Sequence, residues 1–230
     1  MSTSTTSTVH LAVFDTLADW QYGDAIAHIG GHPHRHRVPG RLDVKTVGAT
    51  RDPIVSTAGV RILPDLTLDE LAPADSAMLI LAGGDAWIPL YDLRAAPEPG
   101  VDMPDLLSAF GAKARAFVDA GVPVAAIGGA TSGLARVGLL DDRAHTSDVL
   151  AFLERAGYRG AEHFRDGERA VTDGDVITAS GIAPVEFARE IFARLELFAP
   201  HVLDTWYRLY GEQDASALHE LMAMFQPAAA

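Results

Sequence analysis

The sequence predicts an α/β protein: a doubly wound, mostly parallel sheet with helices on both faces. Three observations carry that expectation. Apolar runs at 9–15, 76–81 and 122–127 lack the in-out alternation of a half-exposed strand, as expected of strands buried on both faces. Amphipathic stretches of helical length fall between such runs along the whole chain, the order that builds a layered α/β sheet. Two of the runs end abruptly in Gly-Gly, at Gly83-Gly84 and Gly128-Gly129. A sharp turn after a central strand is where sites in these sheets lie, beyond the carboxyl ends of the strands.

Each element follows from its residues. Residues 1–8 form a polar tail, and 9–230 hold no linker or repeat, so one domain is expected. VHLAVFD (9–15) is the first strand. The helix 18–29 follows, with Trp20, Ala25 and Ile29 on its apolar side. Residues 30–40, GGHPHRHRVPG, read as a loop from their Gly and Pro content. His32, His34 and His36 stand two apart there, without a helical i,i+4 pair or a nearby carboxylate, so a solvated loop is expected and no metal site. Residues 44–47, 54–57 and 60–63 are short strands, and 67–71 starts a short helix. The strand 76–81 runs into Gly83-Gly84-Asp85, and 91–102 is a Pro/Gly-rich loop. The helix 104–120 carries Pro104 in its first turn, where proline is tolerated. After the strand 122–127 and its glycines comes a helix from Ala130. A further helix spans 148–157, and a strand pair, 170–172 with 176–180, turns at Asp173-Gly174. The helix 184–198 places Phe187, Ile191, Leu195 and Phe198 on one stripe, and 200–226 is a last helix packed on the domain or on a partner.

Composition removes several classes. No stretch approaches the roughly 18 uncharged apolar residues of a membrane span, and the N-terminus lacks the basic region of a signal peptide, so a cytoplasmic protein is expected. A net charge of −13, with 18 basic residues dispersed along the chain, argues against nucleic acid. The chain contains no cysteine, which excludes disulfides, thiolate metal sites and thiol catalysis.

The segment 125–147, AAIGGATSGLARVGLLDDRAHTS, resembles the nucleophile elbow of the DJ-1/PfpI group in the class I glutamine-amidotransferase-like superfamily. LAVFDTLADWQ, LILAGGDAW and VTDGDVITASG resemble its first strand and helix, its glycine loop and its late strand, in the same order. The elbow normally reads close to A-I-C-G-A-T, and here Gly128 stands in the cysteine's place. An acidic residue ends the related A-D-W-E; here Ala18-Asp19-Trp20 is followed by Gln21. Relatives with a T-T-H pattern have a histidine where Thr146-Ser147 is followed by Asp148, and His145 falls three residues earlier, expected on an exposed turn.

The resemblance implies a pocket for a small carbonyl-like or isonitrile-like molecule, with no cofactor or metal. The expected activity is of the hydratase, lyase or hydrolase kind, without a thiol intermediate. Asp15 and Asp19 are the available acid/base groups, although Asp15 also suits a helix cap. Glycine at 128 relieves the strain of a left-handed turn and leaves a hole that water or a slim substrate group could fill. The amides of Gly84 and Gly129 are candidate oxyanion donors, and Gln21 a hydrogen-bonding group. Gly83, Asp85, Ala130 and Thr131 complete the binding shell, with Trp20 and Trp87 as core residues that could also wall it. Two alternatives stay open: a non-catalytic ligand-binding pseudoenzyme, and a cysteine-dependent enzyme trapped by a Cys-to-Gly change. Relatives are commonly dimers, so a homodimer is expected, its partner close to the pocket.

Overall fold

The computed structural model describes residues 7–31, 35–87 and 105–225. His32, His34, Pro104 and the 91–102 loop lie outside them. In chain order the strands are β1 (Ser7–Ala12), β2 (Leu42–Gly48), β3 (Ile54–Val55), β4 (Arg61–Ile62), β5 (Leu66–Thr67), β6 (Ser76–Leu81), β7 (Val124–Ile127), β8 (Ala170–Asp173) and β9 (Val176–Ala179). Seven of them form one sheet in the order β5-β2-β1-β6-β7-β9-β8. All its pairings are parallel except β8 with β9, whose tight turn permits an antiparallel hairpin.

The central strands are buried on both faces. Val9, Met78, Leu79, Ile80, Leu81 and Val124 through Ile127 have no exposed surface. Covering a sheet this way needs helices on each side. The helices are α1 (Asp19–Gly31), α2 (Asp105–Asp119), α3 (Ala130–Arg136), α4 (Leu150–Glu154), α5 (Pro184–Arg194), α6 (Pro200–Tyr210) and α7 (Ala217–Met224). They fall into two packed groups flanking the sheet, α1 with α5, α6 and, against α6, α7, and α2 with α3 and α4. Phe187 and Ile191 of α5 are fully buried, as their stripe predicts. Each such side chain contributes on the order of 1.5–3 kcal/mol through burial.

Several boundaries differ from the sequence reading. β1 begins at Ser7, inside the expected tail, because Ser7 and Thr8 pair with Leu42 and Asp43. Residues 67–71 do not form a helix: Leu66 and Thr67 pair with Val47 and Gly48 instead, adding an edge strand. β3 and β4 pair with each other as a separate antiparallel hairpin. Leu195 and Phe198 are buried beyond the end of α5, whose last helical residue is Arg194. The C-terminal stretch is two helices, broken after Tyr210 where Arg208 binds Asp214 and Glu220.

Candidate functional site

The site is built on glycines at the ends of neighbouring strands. β7 ends at Ile127, and Gly128 turns the chain at φ +59 into α3. This left-handed conformation costs a residue with a Cβ roughly 1–2 kcal/mol, so glycine relieves the strain expected of an elbow. The turn is pinned on two sides. Gly128 N–H donates to Ala179 O on β9 at 2.9 Å, and the Thr131 hydroxyl donates to Gly128 O at 2.7 Å. Thr131 Oγ1 also shares a 2.7 Å hydrogen bond with Ser147 Oγ, fully inside the protein. Thr131 and Ala130 are both completely buried, so they support the elbow from behind and do not line a binding surface.

The hole expected above Gly128 is filled by Gln21. This side chain leaves α1 with 7% exposure, and its Oε1 accepts from Gly83 N–H at 2.6 Å. That bond fixes the carboxamide's orientation: oxygen toward Gly83, Nε2 toward the elbow. A Cβ placed on Gly128 would lie 2.7 Å from Nε2 and 3.1 Å from Oε1. A Cβ on Gly83 would lie 2.5 Å from Oε1, and one on Gly181, just past β9, would lie 2.7 Å from Nε2. Gly83, Gly128 and Gly181 follow β6, β7 and β9, which are adjacent in the sheet. Together they cage one carboxamide, and every wall depends on a missing side chain.

Asp148 completes the group. Its Oδ1 accepts from Gly181 N–H at 2.6 Å and from Ser180 Oγ–H at 2.8 Å. The same oxygen would stand 3.2 Å from a Cβ on Gly181, beside Gln21 Nε2. Gln21, Gly128 and Asp148, far apart in the chain, therefore meet at one place. Sequence reasoning missed Gly181, although Ser180-Gly181 closes an apolar run just as the other glycine pairs do.

The remaining candidates do other work. Asp15 Oδ1 accepts from Val55 N–H and Asp19 Oδ2 from Ala58 N–H, each at 2.8 Å. Both carboxylates thus hold the β3–β4 hairpin against the β1–α1 turn. Between them Thr16 sits at φ +70, its hydroxyl accepting from Ala86 N–H and its amide donating to Val55 O. Burial, and then the Asp19 charge, push the neighbouring Tyr22 hydroxyl above its ordinary range. Asp85 is exposed at the start of a 3-10 turn. Trp87 is core, 2% exposed, donating through Nε1 to Ala82 O and covering Gly133. Trp20 is the reverse, 55% exposed on the outer side of α1 rather than on its apolar side. Its Nε1–H donates to Gly181 O at 3.2 Å, which places the ring beside the cage. Among the described residues the amides of Gly84 and Gly129 are not spent on a hydrogen bond.

Two histidine expectations are corrected. His145 is fully buried, bonded at 2.6 Å both to Arg143 O and to Tyr158 Oη. Burial lowers its pKa and raises that of Tyr158 to about 12. His36 is buried too, its Nε2 bonded to His28 O at 2.9 Å, because the loop folds back on α1. Among the described residues no cluster of His, Asp or Glu has the arrangement of a metal site, and no helix is long and apolar enough to cross a membrane.

A flavodoxin-like sheet with a left-handed elbow after a central strand, faced by a residue of the first helix, defines a class of amidotransferase-like α/β proteins. Residues 7–194 match the DJ-1/PfpI family model. The chain belongs to the DJ-1/PfpI family, with glycine at the elbow. It is 36% identical to the "uncharacterized protease YoaZ" of Bacillus subtilis, over 94% of this chain and 97% of that one. The "uncharacterized protease YdeA" of the same organism is 30% identical over 84% of this chain and 85% of that one. Among solved structures, a thiJ/pfpI family protein from Bacillus anthracis superposes with a TM-score of 0.82 at 32% identity, covering 96% of this chain and 97% of that one. A DJ-1 superfamily protein from Agrobacterium tumefaciens gives 0.72 at 31% identity, covering 90% and 99%.

Proposed function

We propose that this protein binds a small molecule at the elbow without forming a covalent bond to it, as a non-catalytic member of its family. The observation that carries this reading is the Gln21 carboxamide in the space an elbow side chain would occupy. The turn that elsewhere presents a nucleophile here presents an amide. Hydratase or lyase chemistry without a thiol would need an acid or base of suitable pKa within hydrogen-bond reach of the substrate. Asp15 and Asp19, the groups suggested for that role, already accept backbone N–H groups of the hairpin. The protease name of the two relatives transfers poorly: a proteolytic elbow needs a nucleophile, and residue 128 has no side chain.

The test compares wild type with Asp15→Asn and Asp19→Asn on α-oxoaldehyde and isonitrile substrates, alongside binding measured by NMR. Saturable perturbation of the Gly128 and Gly129 amides, without turnover above the buffer rate, is the expected result. Turnover by wild type that either substitution abolishes would overturn the reading and restore the enzyme.

We also propose a homodimer in which the partner lies near this mouth. Trp20 at 55% and Ile182 at 89% exposure flank Gly181, two apolar side chains beside the site that a partner subunit would cover.

A further inference from the structure

Gln21 Nε2 is the starting point. Its partner atom Oε1 is committed to Gly83 N–H, so the nitrogen can only donate. Among the described residues it makes no hydrogen bond. Gln21 is 7% exposed, so this unpartnered donor belongs to a residue more than nine-tenths buried, and it points to the elbow between Gly128 and Gly181.

A second open group stands beside it. Asp148, half-buried, has Oδ1 taken by Gly181 N–H and Ser180 Oγ–H, while Oδ2 has no partner among the described residues. Gln21 Nε2 and Asp148 Oδ1 both lie within 3.2 Å of one point above Gly181. The unpartnered donor therefore lies beside the Asp148 carboxylate, whose nearer oxygen is the one held by Gly181 N–H and Ser180 Oγ–H. Gly129 N–H adds a donor on the Gly83 side, 3.1 Å from the point where a Gly83 Cβ would sit, as Nε2 also is.

Each ligand class meets this pair differently. A carboxylate satisfies Nε2 and Gly129 N–H but is repelled by Asp148. An ammonium satisfies Asp148 but faces the Nε2 donor with nothing to accept. A primary carboxamide brings a carbonyl oxygen for the donors and an N–H for Asp148, with no charge. We propose that Gln21 and Asp148 make this site selective for small uncharged ligands ending in a carboxamide, with Gln21 the residue that determines specificity. The inference rests on the binding reading given above and adds the ligand class to it.

The test titrates 15N-labelled full-length protein with propionamide, propionate and propylammonium, probes of nearly equal size. Propionamide should move the Gln21 side-chain NH2 and the Gly129 amide, with an apparent Kd about tenfold below that of either charged probe, the worth of one well-made hydrogen bond. Gln21→Glu should weaken propionamide about tenfold, because a carboxylate has no N–H to give. Gln21→Met, which cannot ionise, should do the same, and an unchanged amide spectrum elsewhere verifies that both variants fold. Propionate or propylammonium binding as tightly as propionamide, or variants that bind it as wild type does, would overturn the selectivity and leave the binding site standing. Failure of all probes to move the Gly129 amide would overturn both.

Discussion

Adding one methyl group to the elbow tests the cage directly. In Gly128→Ala the new Cβ meets Gln21 Nε2 at 2.7 Å and Cδ at 3.2 Å, so the carboxamide must shift. Two costs follow. The left-handed backbone at φ +59 charges any L side chain roughly 1–2 kcal/mol. Displacing the carboxamide breaks its 2.6 Å bond from Gly83 N–H, and stranding a buried amide costs about 1–3 kcal/mol more. The sum is on the order of 2–5 kcal/mol, or a fall in Tm of roughly 4–20 °C for a chain of this size. The second term vanishes if Gln21 is already truncated. In a double-mutant cycle read by urea unfolding, Gly128→Ala in a Gln21→Ala background should cost only the backbone term, giving a coupling of at least about 1 kcal/mol. Costs that simply add, within about 0.5 kcal/mol, would show that Gln21 does not occupy the elbow space.

Other consequences can be checked independently. Gly133→Ala drives a Cβ into the buried Trp87 ring and should cost about 1–3 kcal/mol by overpacking, with a change in near-UV circular dichroism from that tryptophan. His145 has a folded pKa lowered by burial from 6.5, so the unfolded chain takes up the proton first. Its contribution is full above pH 6.5 and is lost as the pH falls from there through the lower folded value, so urea midpoints should drop between pH 7.5 and 5.5. His10 is shifted the same way by burial, so His145→Gln should shrink this pH dependence without abolishing it. Light scattering at micromolar concentration should report twice the 24.4 kDa chain mass, and Ile182→Asp should return it to the monomer value; a wild-type monomer would refute the proposed dimer.

Much of the frame was legible because central parallel strands leave an unambiguous trace. The runs ending at Leu81 and Ile127 are almost wholly apolar, and glycines follow them. What escaped depends on distant partners. The edge strand at Leu66 exists only because Val47 lies alongside it, and two residues carry no pattern of their own. His145 sits among polar neighbours in sequence, yet Tyr158 and Phe164 enclose it in space. Trp20 stands in the first turn of α1, where hydrophobicity alone suggests an inward face, and its indole instead reaches Gly181. The substitutions at Gln21 and Gly128 were visible separately. That one side chain fills the space vacated by the other follows only from the approach of α1 to the end of β7.

The carboxamide cage also constrains how this site can change. Gly83, Gly128 and Gly181 are walls of one small enclosure, and any of them gaining a side chain collides with the same amide. A cysteine at 128 would therefore require the carboxamide to shift, and the shift would bear on the bond it accepts from Gly83 N–H. The glutamine and the three glycines are thus tied to one another through a single amide, so that a change at any of them is felt at the others.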